Sequence, residues 1–233
     1  MFELRNVTAG YPGTTVLRDI SLWVPRGSVV ALLGPNGAGK TTTLRVGSGL
    51  LPCRNGAVVI DGTRVGASPA AAARAGVCHV PEGRGVFPTL TVRENLVVQA
   101  RGRNVNDAVD RAVAAFPRLG ERIGQVAGTM SGGEQQMVAL AKAYVTDAPY
   151  VLLDEVSMGL APVIVDEIFA FLRRLASEGR ALLLVEQYVT RALEIADYVY
   201  LLNRGELTFA GEPGELAGEN LFAAYVGAHL GGR

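Results

Sequence analysis

The sequence of 233 residues contains few cysteines and histidines, and this scarcity excludes several kinds of site. The two cysteines, Cys53 and Cys78, lack the paired spacing of a zinc site or a redox motif, so each is expected to occupy a small apolar position. The two histidines, His79 and His229, lie far apart in the chain and are expected to be structural or terminal. A metal or redox centre built on cysteine is therefore not predicted.

Long hydrophobic runs are also absent. The longest runs, Val29–Leu33, Tyr150–Leu153 and Ala181–Val185, have the length of a buried strand, whereas a membrane helix needs about 20 apolar residues. Residues 1–5 lack the basic start and the apolar run of a secretory signal. If the protein acts at a membrane, other chains are expected to supply the membrane spans.

Neither sign of charge is in excess, because 22 lysines and arginines balance 22 aspartates and glutamates. A net charge of +0 gives no bulk attraction to nucleic acid or to anionic lipid. The sequence also lacks internal repeats, low-complexity tracts and basic arms. Its length predicts one large domain, or one domain with an inserted lobe.

Apolar strands alternate with helices along most of the chain, which predicts a mostly parallel α/β core. The predicted strands are Phe2–Val7, Ser21–Val24, Val29–Leu33, Ala57–Ile60, Gly76–Val80, Tyr150–Asp154, Ala181–Glu186 and Tyr198–Asn203. The predicted helices are Lys40–Ser48, Arg93–Ala100, Asn106–Phe116, Gly132–Val145, Pro162–Glu178 and Val189–Ala196. From about Gly83 to Val145 the pattern is helical, which predicts a helical lobe inserted into the core.

A glycine-rich stretch directly follows the strand Val29–Leu33 and opens a predicted helix. It consists of Gly34, Pro35, Asn36, Gly37, Ala38, Gly39, Lys40, Thr41 and Thr42, which fits the phosphate-loop pattern G-x-x-x-x-G-K-[ST]. Glycines let backbone N–H groups surround phosphate oxygens, and the helix adds its positive end. Lys40 is expected to contact the β- and γ-phosphates, and the Thr41 hydroxyl to bind Mg²⁺. An accidental glycine-rich turn would not need both the strand and the helix, so the stretch predicts a nucleotide site.

A second glycine pair opens the predicted helix that ends at Val145. Ser131 can cap this helix, and Gly132 and Gly133 leave bare N–H groups at its positive end, next to Glu134. A simple helix cap would need no second glycine, although that interpretation stays open. The pair therefore predicts a second phosphate cradle, which a single nucleotide does not require from one chain.

The phosphate loop, the stretch Ser131–Glu134 and the strand that ends at Asp154 and Glu155 together resemble those of ABC ATPases. The resemblance extends over nearly the whole chain. It implies an α/β fold: a P-loop NTPase parallel-sheet core with an N-terminal antiparallel β subdomain and an inserted α-helical subdomain. Residues 1–233 would form a single ATP-binding domain, with the helical subdomain at approximately 84–145. The implied activity is ATP hydrolysis, with ATP and Mg²⁺ as cofactors.

The resemblance also implies a role for each site residue. The stretch Ser131–Glu134 resembles the family's signature motif, which closes over the ATP held by the phosphate loop of a second subunit. Asp154 would hold Mg²⁺ directly or through water, and Glu155 would polarise the attacking water. Two adjacent carboxylates at the carboxyl end of a strand fit a ligand site in an open α/β sheet. Tyr11 lies where the family places a ring that stacks on adenine, with Val16 nearby.

Two departures from the common family pattern narrow the resemblance. Glu82 stands where many members have a metal-contacting glutamine, and its carboxylate can also face Mg²⁺. Gln187 stands where most members have a histidine at the γ-phosphate, and its amide can donate a hydrogen bond but does not titrate near neutral pH. Together with residues 81–92 and 159–162, these positions resemble the smaller ATP-binding subunit of branched-chain amino acid importers. Lys40, Glu155 and Gln187 are then the expected catalytic residues.

This resemblance implies that the chain powers the import of leucine, isoleucine and valine. The implied partners are a second ABC ATPase subunit in a hetero- or homodimer, two membrane permease subunits docked through Glu82–Gln99, and indirectly an extracytoplasmic substrate-binding protein. The chain would lie peripherally on the cytoplasmic face of the cell (inner) membrane. A urea or short-chain amide importer shares much of the pattern and stays an alternative. An exporter's ATPase and a soluble ABC ATPase acting on DNA or ribosomes are further alternatives, but no nucleic acid partner is expected without basic runs.

Overall fold

The computed structural model describes residues 1–83, 85–100 and 104–218. The sequence also predicts short helical turns within Gly211–Arg233, and those after residue 218, like Arg84 and His229, lie outside the described residues. Within the described ranges, no helix is both long enough and apolar enough to cross a membrane.

The described residues contain ten strands and nine α-helices. The strands are β1 (Phe2–Ala9), β2 (Leu17–Val24), β3 (Val29–Leu33), β4 (Cys53–Ile60), β5 (Thr63–Arg64), β6 (Val77–Val80), β7 (Tyr150–Asp154), β8 (Ala181–Val185), β9 (Tyr198–Asn203) and β10 (Glu206–Gly211). The helices are α1 (Lys40–Gly47), α2 (Pro69–Arg74), α3 (Val92–Gln99), α4 (Val105–Ala115), α5 (Pro117–Glu121), α6 (Gly132–Val145), α7 (Pro162–Ser177), α8 (Val189–Ile195) and α9 (Pro213–Gly218).

The larger sheet has six strands in the order β10-β9-β3-β8-β7-β6. The pairs among β9, β3, β8, β7 and β6 are parallel, and only the edge strand β10 is antiparallel to its neighbour. Strands β3, β7 and β8 are buried at every position, as expected for parallel strands covered on both faces. Their carboxyl ends therefore meet at one edge of the sheet, where open α/β sheets bind ligands.

Strand β3 lies between two hydrophobic clusters because its side chains alternate between the two faces of the sheet. Val29, Ala31 and Leu33 belong to the cluster that includes α6 and α7, whereas Val30 and Leu32 belong to the cluster that includes the N-terminal strands. All five side chains are at most 2% exposed. The loop that follows β3 is thus anchored by packing on both sides.

The smaller sheet is antiparallel, with the strand order β2-β1-β4-β5. In β2, Leu17, Ile20, Leu22 and Val24 are buried, while the residues between them are exposed. This alternation is typical of an antiparallel sheet with one covered face. The buried face joins the same cluster as Val30 of β3, so the N-terminal sheet packs against the core beside the phosphate loop.

Helices α3 to α6 follow one another between β6 and β7 in the chain. The side chain of Asn95 in α3 is fully buried and its amide donates to the carbonyl oxygens of Phe87, Leu90 and Thr91. Helix α6 is buried along most of its length and packs against α3 and α4. These contacts hold the start of α6 in a fixed position relative to the core.

The fold class predicted from the sequence is confirmed, and several strand bounds differ. Strands β2 and β4 begin earlier than the predicted Ser21 and Ala57, because the polar residues Arg18 and Asp19 in β2 and the stretch 54–56 in β4 interrupt the apolar pattern. Strand β10 was not predicted because only its last residue is buried and its pattern resembles a loop. The limits of the helical lobe, residues 84–145, stay a prediction.

Candidate active site

The phosphate loop connects β3 to α1, and two of its glycines are required by the geometry. Gly39 has φ +113° at the cap of α1, a left-handed conformation that favours glycine. A Cβ atom there would lie 2.7 Å from Cδ2 of Leu17. A Cβ atom on Gly34 would lie 2.2 Å from the carbonyl oxygen of Leu202. Glycine at position 34 thus lets the loop run close to the backbone of Leu202, and glycine at position 39 permits the left-handed conformation beside the Leu17 side chain.

The side chain of Lys40 is almost fully buried inside the loop. It is 8% exposed, and its Nζ donates hydrogen bonds to the carbonyl oxygens of Gly34 at 2.8 Å and Pro35 at 3.1 Å. Burial lowers the pKa of Lys40, while the carboxylates of Glu155 and Asp154 act in the opposite direction. The ammonium group is thus held at the place where the loop would surround a phosphate.

The end of β7 brings oxygen ligands next to the phosphate loop. The hydroxyl of Thr41 donates to Oδ1 of Asp154 at 3.2 Å, and Asp154 is only 2% exposed. Burial raises the pKa of Asp154 to about 6, the negative charges of Glu155 and Glu82 add to this, and the bond from Thr41 opposes it. A buried carboxylate beside further negative charge favours a bound cation.

This donor set fits Mg²⁺, which prefers oxygen ligands. The hydroxyl of Thr41 and the carboxylates of Asp154 and Glu82 are all oxygen donors. Among the described residues, no group of three or more His, Cys, Asp and Glu side chains could hold a metal ion by itself. Mg²⁺ would therefore need phosphate oxygens and water as well, which is the usual way in which proteins bind it with a nucleotide.

Glu155 has an unusual backbone conformation directly after β7. Its φ is +48°, and its N–H donates to the carbonyl oxygen of Val185 at 2.9 Å. A non-glycine residue in the left-handed region is uncommon, costs of order 1–3 kcal/mol and occurs in turns as well as at functional sites. This conformation lies directly after Asp154, at the carboxyl end of β7.

A cavity of about 570 Å³ brings most of the predicted residues together. Its lining residues are Val16, Asn36, Gly37, Gly39, Lys40, Thr41, Thr42, Glu82, Glu155, Met158 and Gln187. Segments from five places in the sequence thus face one space: the connection between β1 and β2, the phosphate loop, the end of β6, the end of β7 and the end of β8. The volume falls within the range of small-molecule sites in proteins.

Tyr11 does not line this cavity. Its ring is 37% exposed in the turn after β1, and its hydroxyl accepts a hydrogen bond from Arg45 of α1 at 2.8 Å. Val16, on the same connection, does line the cavity. Contact between Tyr11 and adenine stays a prediction.

The start of α6 is held by a reciprocal cap. The hydroxyl of Ser131 accepts from the N–H of Glu134, and the carboxylate of Glu134 accepts from the N–H of Ser131 at 2.9 Å. Arg122 forms an ion pair with the same carboxylate at 2.8 Å. None of the residues from Ser131 to Glu134 lines the cavity, so this second cradle faces a different space from the phosphate loop. Binding of a nucleotide by Ser131, Gly132, Gly133 and Glu134 stays a prediction.

A buried pair of side chains that the sequence does not predict links two of the loops around the cavity. Glu186 and Ser157 are both 0% exposed, and Ser157 donates two hydrogen bonds to Glu186, from its N–H at 3.0 Å and from its hydroxyl at 2.7 Å. A charged residue directly after the apolar run 181–185 was the available signal. Its partner could not be predicted, because the contact depends on how β7 and β8 are aligned.

Comparison with known families and proteins agrees with this geometry. A family described as "ABC transporter" matches residues 17–158. The high-affinity branched-chain amino acid transport ATP-binding protein BraG of Pseudomonas aeruginosa is 40% identical over 211 residues, covering 89% of this chain and 91% of BraG. The probable branched-chain amino acid transport ATP-binding protein LivF of Archaeoglobus fulgidus is 38% identical, covering 93% of this chain and 94% of LivF. The lipopolysaccharide export system ATP-binding protein LptB of Escherichia coli K12 is 32% identical and covers 96% of this chain and 95% of LptB.

Solved structures share the fold over almost the entire chain. An ATP-binding subunit of an ABC transporter superposes with a TM-score of 0.85 at 27% identity, covering 98% of this chain and 97% of that one. The ATP-binding cassette MJ1267 in its ADP conformation also has a TM-score of 0.85, at 23% identity, covering 99% of this chain and 98% of that one. At 23% identity, the similarity to MJ1267 supports the fold alone.

Proposed function

We propose, from the premise that the chain belongs to the ABC transporter family and is one of its ATP-hydrolysing domains, that its ATPase activity powers the import of branched-chain amino acids. The cargo would be leucine, isoleucine and valine. This cargo is proposed from the similarity to BraG and LivF, because both match about nine-tenths of the chain at 38% identity or more. Since the amino acid would be bound by other subunits, the cargo is supported by likeness and not by a pocket of this chain.

The residues around the cavity support a mechanism for ATP hydrolysis. Lys40 and the N–H groups of Gly37 and Gly39 would bind the β- and γ-phosphates. Thr41 and Asp154, with Glu82 facing them, would hold Mg²⁺, which when bound neutralises charge on the phosphates. These residues would orient the triphosphate, and because Lys40 and Asp154 are less than a tenth exposed, their charges are screened only weakly by water.

Glu155 would act as the group that orients and polarises the attacking water. Glu155 lines the cavity together with the phosphate loop and directly follows Asp154. Gln187 lines the same cavity, and its neutral amide would donate a hydrogen bond to the γ-phosphate. Glu155 would thus supply the negative charge and Gln187 the hydrogen bond. Of the two, Glu155 would have the larger effect on the rate of hydrolysis.

A second ATPase subunit would complete the site. The signature residues Ser131–Glu134 lie away from the chain's own phosphate loop, which favours contact with the nucleotide of a partner subunit. Tyr11 would stack on the adenine, with Val16 against the same base. Two permease subunits, docked through Glu82–Gln99, would couple closing and opening of the dimer to transport, at the cytoplasmic face of the membrane.

Uptake by the native cells tests the cargo. Cells that carry Glu155→Gln in this chain should lose high-affinity leucine uptake, while immunoblots should show an unchanged amount of the chain. Cells with the matched variant Glu178→Gln, whose carboxylate lies outside the cavity and accepts from Tyr144, should retain it. If leucine uptake persists in the Glu155→Gln cells while urea uptake or lipopolysaccharide export fails, the cargo is wrong and the ATPase assignment stands.

Lipopolysaccharide export is the second candidate function, because LptB is 32% identical over 96% of the chain. The lower identity favours amino acid import. Recovery of the complex by an affinity tag on this chain separates the two, since an importer is expected to be stimulated by a leucine-loaded binding protein. A tagged complex whose ATPase activity ignores that protein would contradict the importer assignment.

A further inference from the structure

The carboxylate of Glu186 joins the two loops that carry Glu155 and Gln187. Its Oε1 accepts the N–H of Ser157 at 3.0 Å, and its Oε2 accepts the hydroxyl of Ser157 at 2.7 Å and the N–H of Gln187 at 3.2 Å. Ser157 lies two residues after Glu155, and Gln187 directly follows Glu186. One side chain therefore contacts the backbone of both loops that face the cavity.

The burial of this carboxylate indicates more than a stabilising contact. Glu186 is 0% exposed, and its three described hydrogen-bond donors are all neutral. Even when each of its oxygens is hydrogen-bonded, a buried carboxylate without an opposite charge carries a desolvation cost. An apolar residue at this position would avoid that cost, so the carboxylate is expected to serve the geometry of the site.

We propose that Glu186 is a positioning residue, which through Ser157 fixes the loop of Glu155 relative to the loop of Gln187 for hydrolysis. The proposal rests on the function proposed above, in which Glu155 activates water and Gln187 contacts the γ-phosphate. Glu186 touches neither nucleotide nor water in this scheme. It acts through the spacing of the two loops, so it affects the hydrolysis step and not the binding of ATP.

The substitution Glu186→Gln tests this spacing with little change in shape. A glutamine offers one accepting oxygen and one donating NH₂ group. If its oxygen takes the Oε2 position, the NH₂ faces the N–H of Ser157; if it takes the Oε1 position, the NH₂ faces the N–H of Gln187. In either orientation one backbone N–H loses its acceptor, and one loop is released. Ser157→Ala removes the hydroxyl bond to the same carboxylate and serves as the second variant.

Single-turnover hydrolysis gives the rate of the chemical step. It is measured in the presence of Mg²⁺, with the full-length chain in excess over ATP. Nucleotide affinity is measured on the same samples by titration with a fluorescent ATP analogue. We expect Glu186→Gln and Ser157→Ala each to slow hydrolysis by roughly tenfold. Affinity for the analogue should change by less than about threefold. The double variant should be about as slow as the slower single variant, because both changes break one connection.

Tyr144→Phe is the matched control. Tyr144 is 5% exposed and donates to Glu178 at 2.8 Å, so its substitution also removes one part-buried hydrogen bond, but away from the cavity. It should lower the melting temperature by a similar amount and leave the hydrolysis rate unchanged. If Glu186→Gln loses stability but hydrolyses ATP at the normal rate, Glu186 is only structural and the proposal fails.

Glu155→Gln, run in the same assay, separates this proposal from the proposed function. If Glu155→Gln is inactive while Glu186→Gln and Ser157→Ala are normal, the positioning role is wrong and the catalytic role of Glu155 stands. If Glu155→Gln hydrolyses ATP normally, the roles assigned to the cavity are wrong. Equal losses of affinity and rate in Ser157→Ala would also overturn the proposal, since they would indicate a general disturbance of the site.

Discussion

Lys40 and Lys142 are the only lysines of the sequence, and they have different environments. Lys40 lies inside the phosphate loop, with its ammonium bonded to the carbonyl oxygens of Gly34 and Pro35. Lys142 donates to the carbonyl oxygen of His79, outside the nucleotide cavity. The chain thus contains its own control for the effect of removing a buried or half-buried lysine.

We expect Lys40→Ala to weaken Mg·ATP binding by roughly 10–100-fold, because it removes a charge-assisted bond to phosphate worth about 1.5–3 kcal/mol. Isothermal titration calorimetry with the full-length chain measures this directly. Lys142→Ala should bind ATP as the unchanged protein does. Equal affinity of the two variants would contradict the assignment of the loop as the phosphate site.

His79 provides a pH-dependent prediction. Burial lowers its pKa to about 4, and the positive charges of Lys142 and Arg45 act in the same direction. The unfolded chain binds this proton near pKa 6.5, so the group's contribution to stability is lost as the pH falls from 6.5 to 4. By linkage the loss is about 2 kcal/mol near pH 5.

We therefore expect His79→Gln to be less sensitive to acid than the unchanged chain. Urea unfolding at neutral pH and near pH 5 gives the free energy of unfolding of both proteins. The unchanged chain should lose about 2 kcal/mol more than the variant between the two conditions. The same loss in both proteins would show that His79 is not the group that titrates.

At the scale of secondary structure, two helices with the same kind of N-cap offer a comparison. Ser131 caps α6 and Ser68 caps α2, each accepting a hydrogen bond from the N–H three residues later. Replacing either serine with alanine is expected to cost about 1 kcal/mol of stability. Only α6 begins at the proposed cradle for the partner's nucleotide.

We expect Ser131→Ala to reduce steady-state ATP hydrolysis while leaving ATP binding by the single chain intact. Ser68→Ala should lose similar stability and keep full activity, which ATPase assays and thermal unfolding on both variants measure. Loss of binding in monomeric Ser131→Ala would mean that the cradle serves the chain's own nucleotide. In that case the proposed arrangement of two subunits would be wrong.

Elements with a strong local signal were predicted well from the sequence. Strands β3 and β7 and helix α6 were predicted with their observed bounds, because continuous apolar runs and the serine cap define them. Strand β10 was missed because its side chains are partly exposed at the sheet edge. The positive φ angles of Arg204 and Gly205 show that a tight turn pairs it with β9.

The same distinction applies to the candidate site. The phosphate loop is contiguous in sequence, so its pattern alone predicts the cradle. The contact between Ser157 and Glu186 joins residues 29 positions apart. It exists because β7 and β8 run parallel, with Asp154 opposite Val185. The residues next to Ser157 and Glu186 in the sequence do not predict how β7 and β8 are aligned.

At the scale of the whole molecule, the phosphate loop lines the nucleotide cavity, whereas the signature stretch Ser131–Glu134 does not. A complete site would therefore form only when two subunits meet, and a subunit that binds but cannot hydrolyse ATP should stay closed on its partner. Glu155 and Gln187 both line the cavity, but only Glu155 has a negative charge for water activation. The two side chains can thus be tested against each other in the dimer.

We expect Glu155→Gln to slow single-turnover hydrolysis by about 10²–10⁴-fold, the usual contribution of a general base, while ATP stays bound. Gln187→Ala removes one neutral hydrogen bond and should slow it by at most about tenfold. Sedimentation in ATP should then show a stable closed dimer for Glu155→Gln and a reversible one for Gln187→Ala. If Gln187→Ala is as inactive as Glu155→Gln, the glutamine takes part in the chemical step itself, and the division of roles between charge and hydrogen bond is wrong.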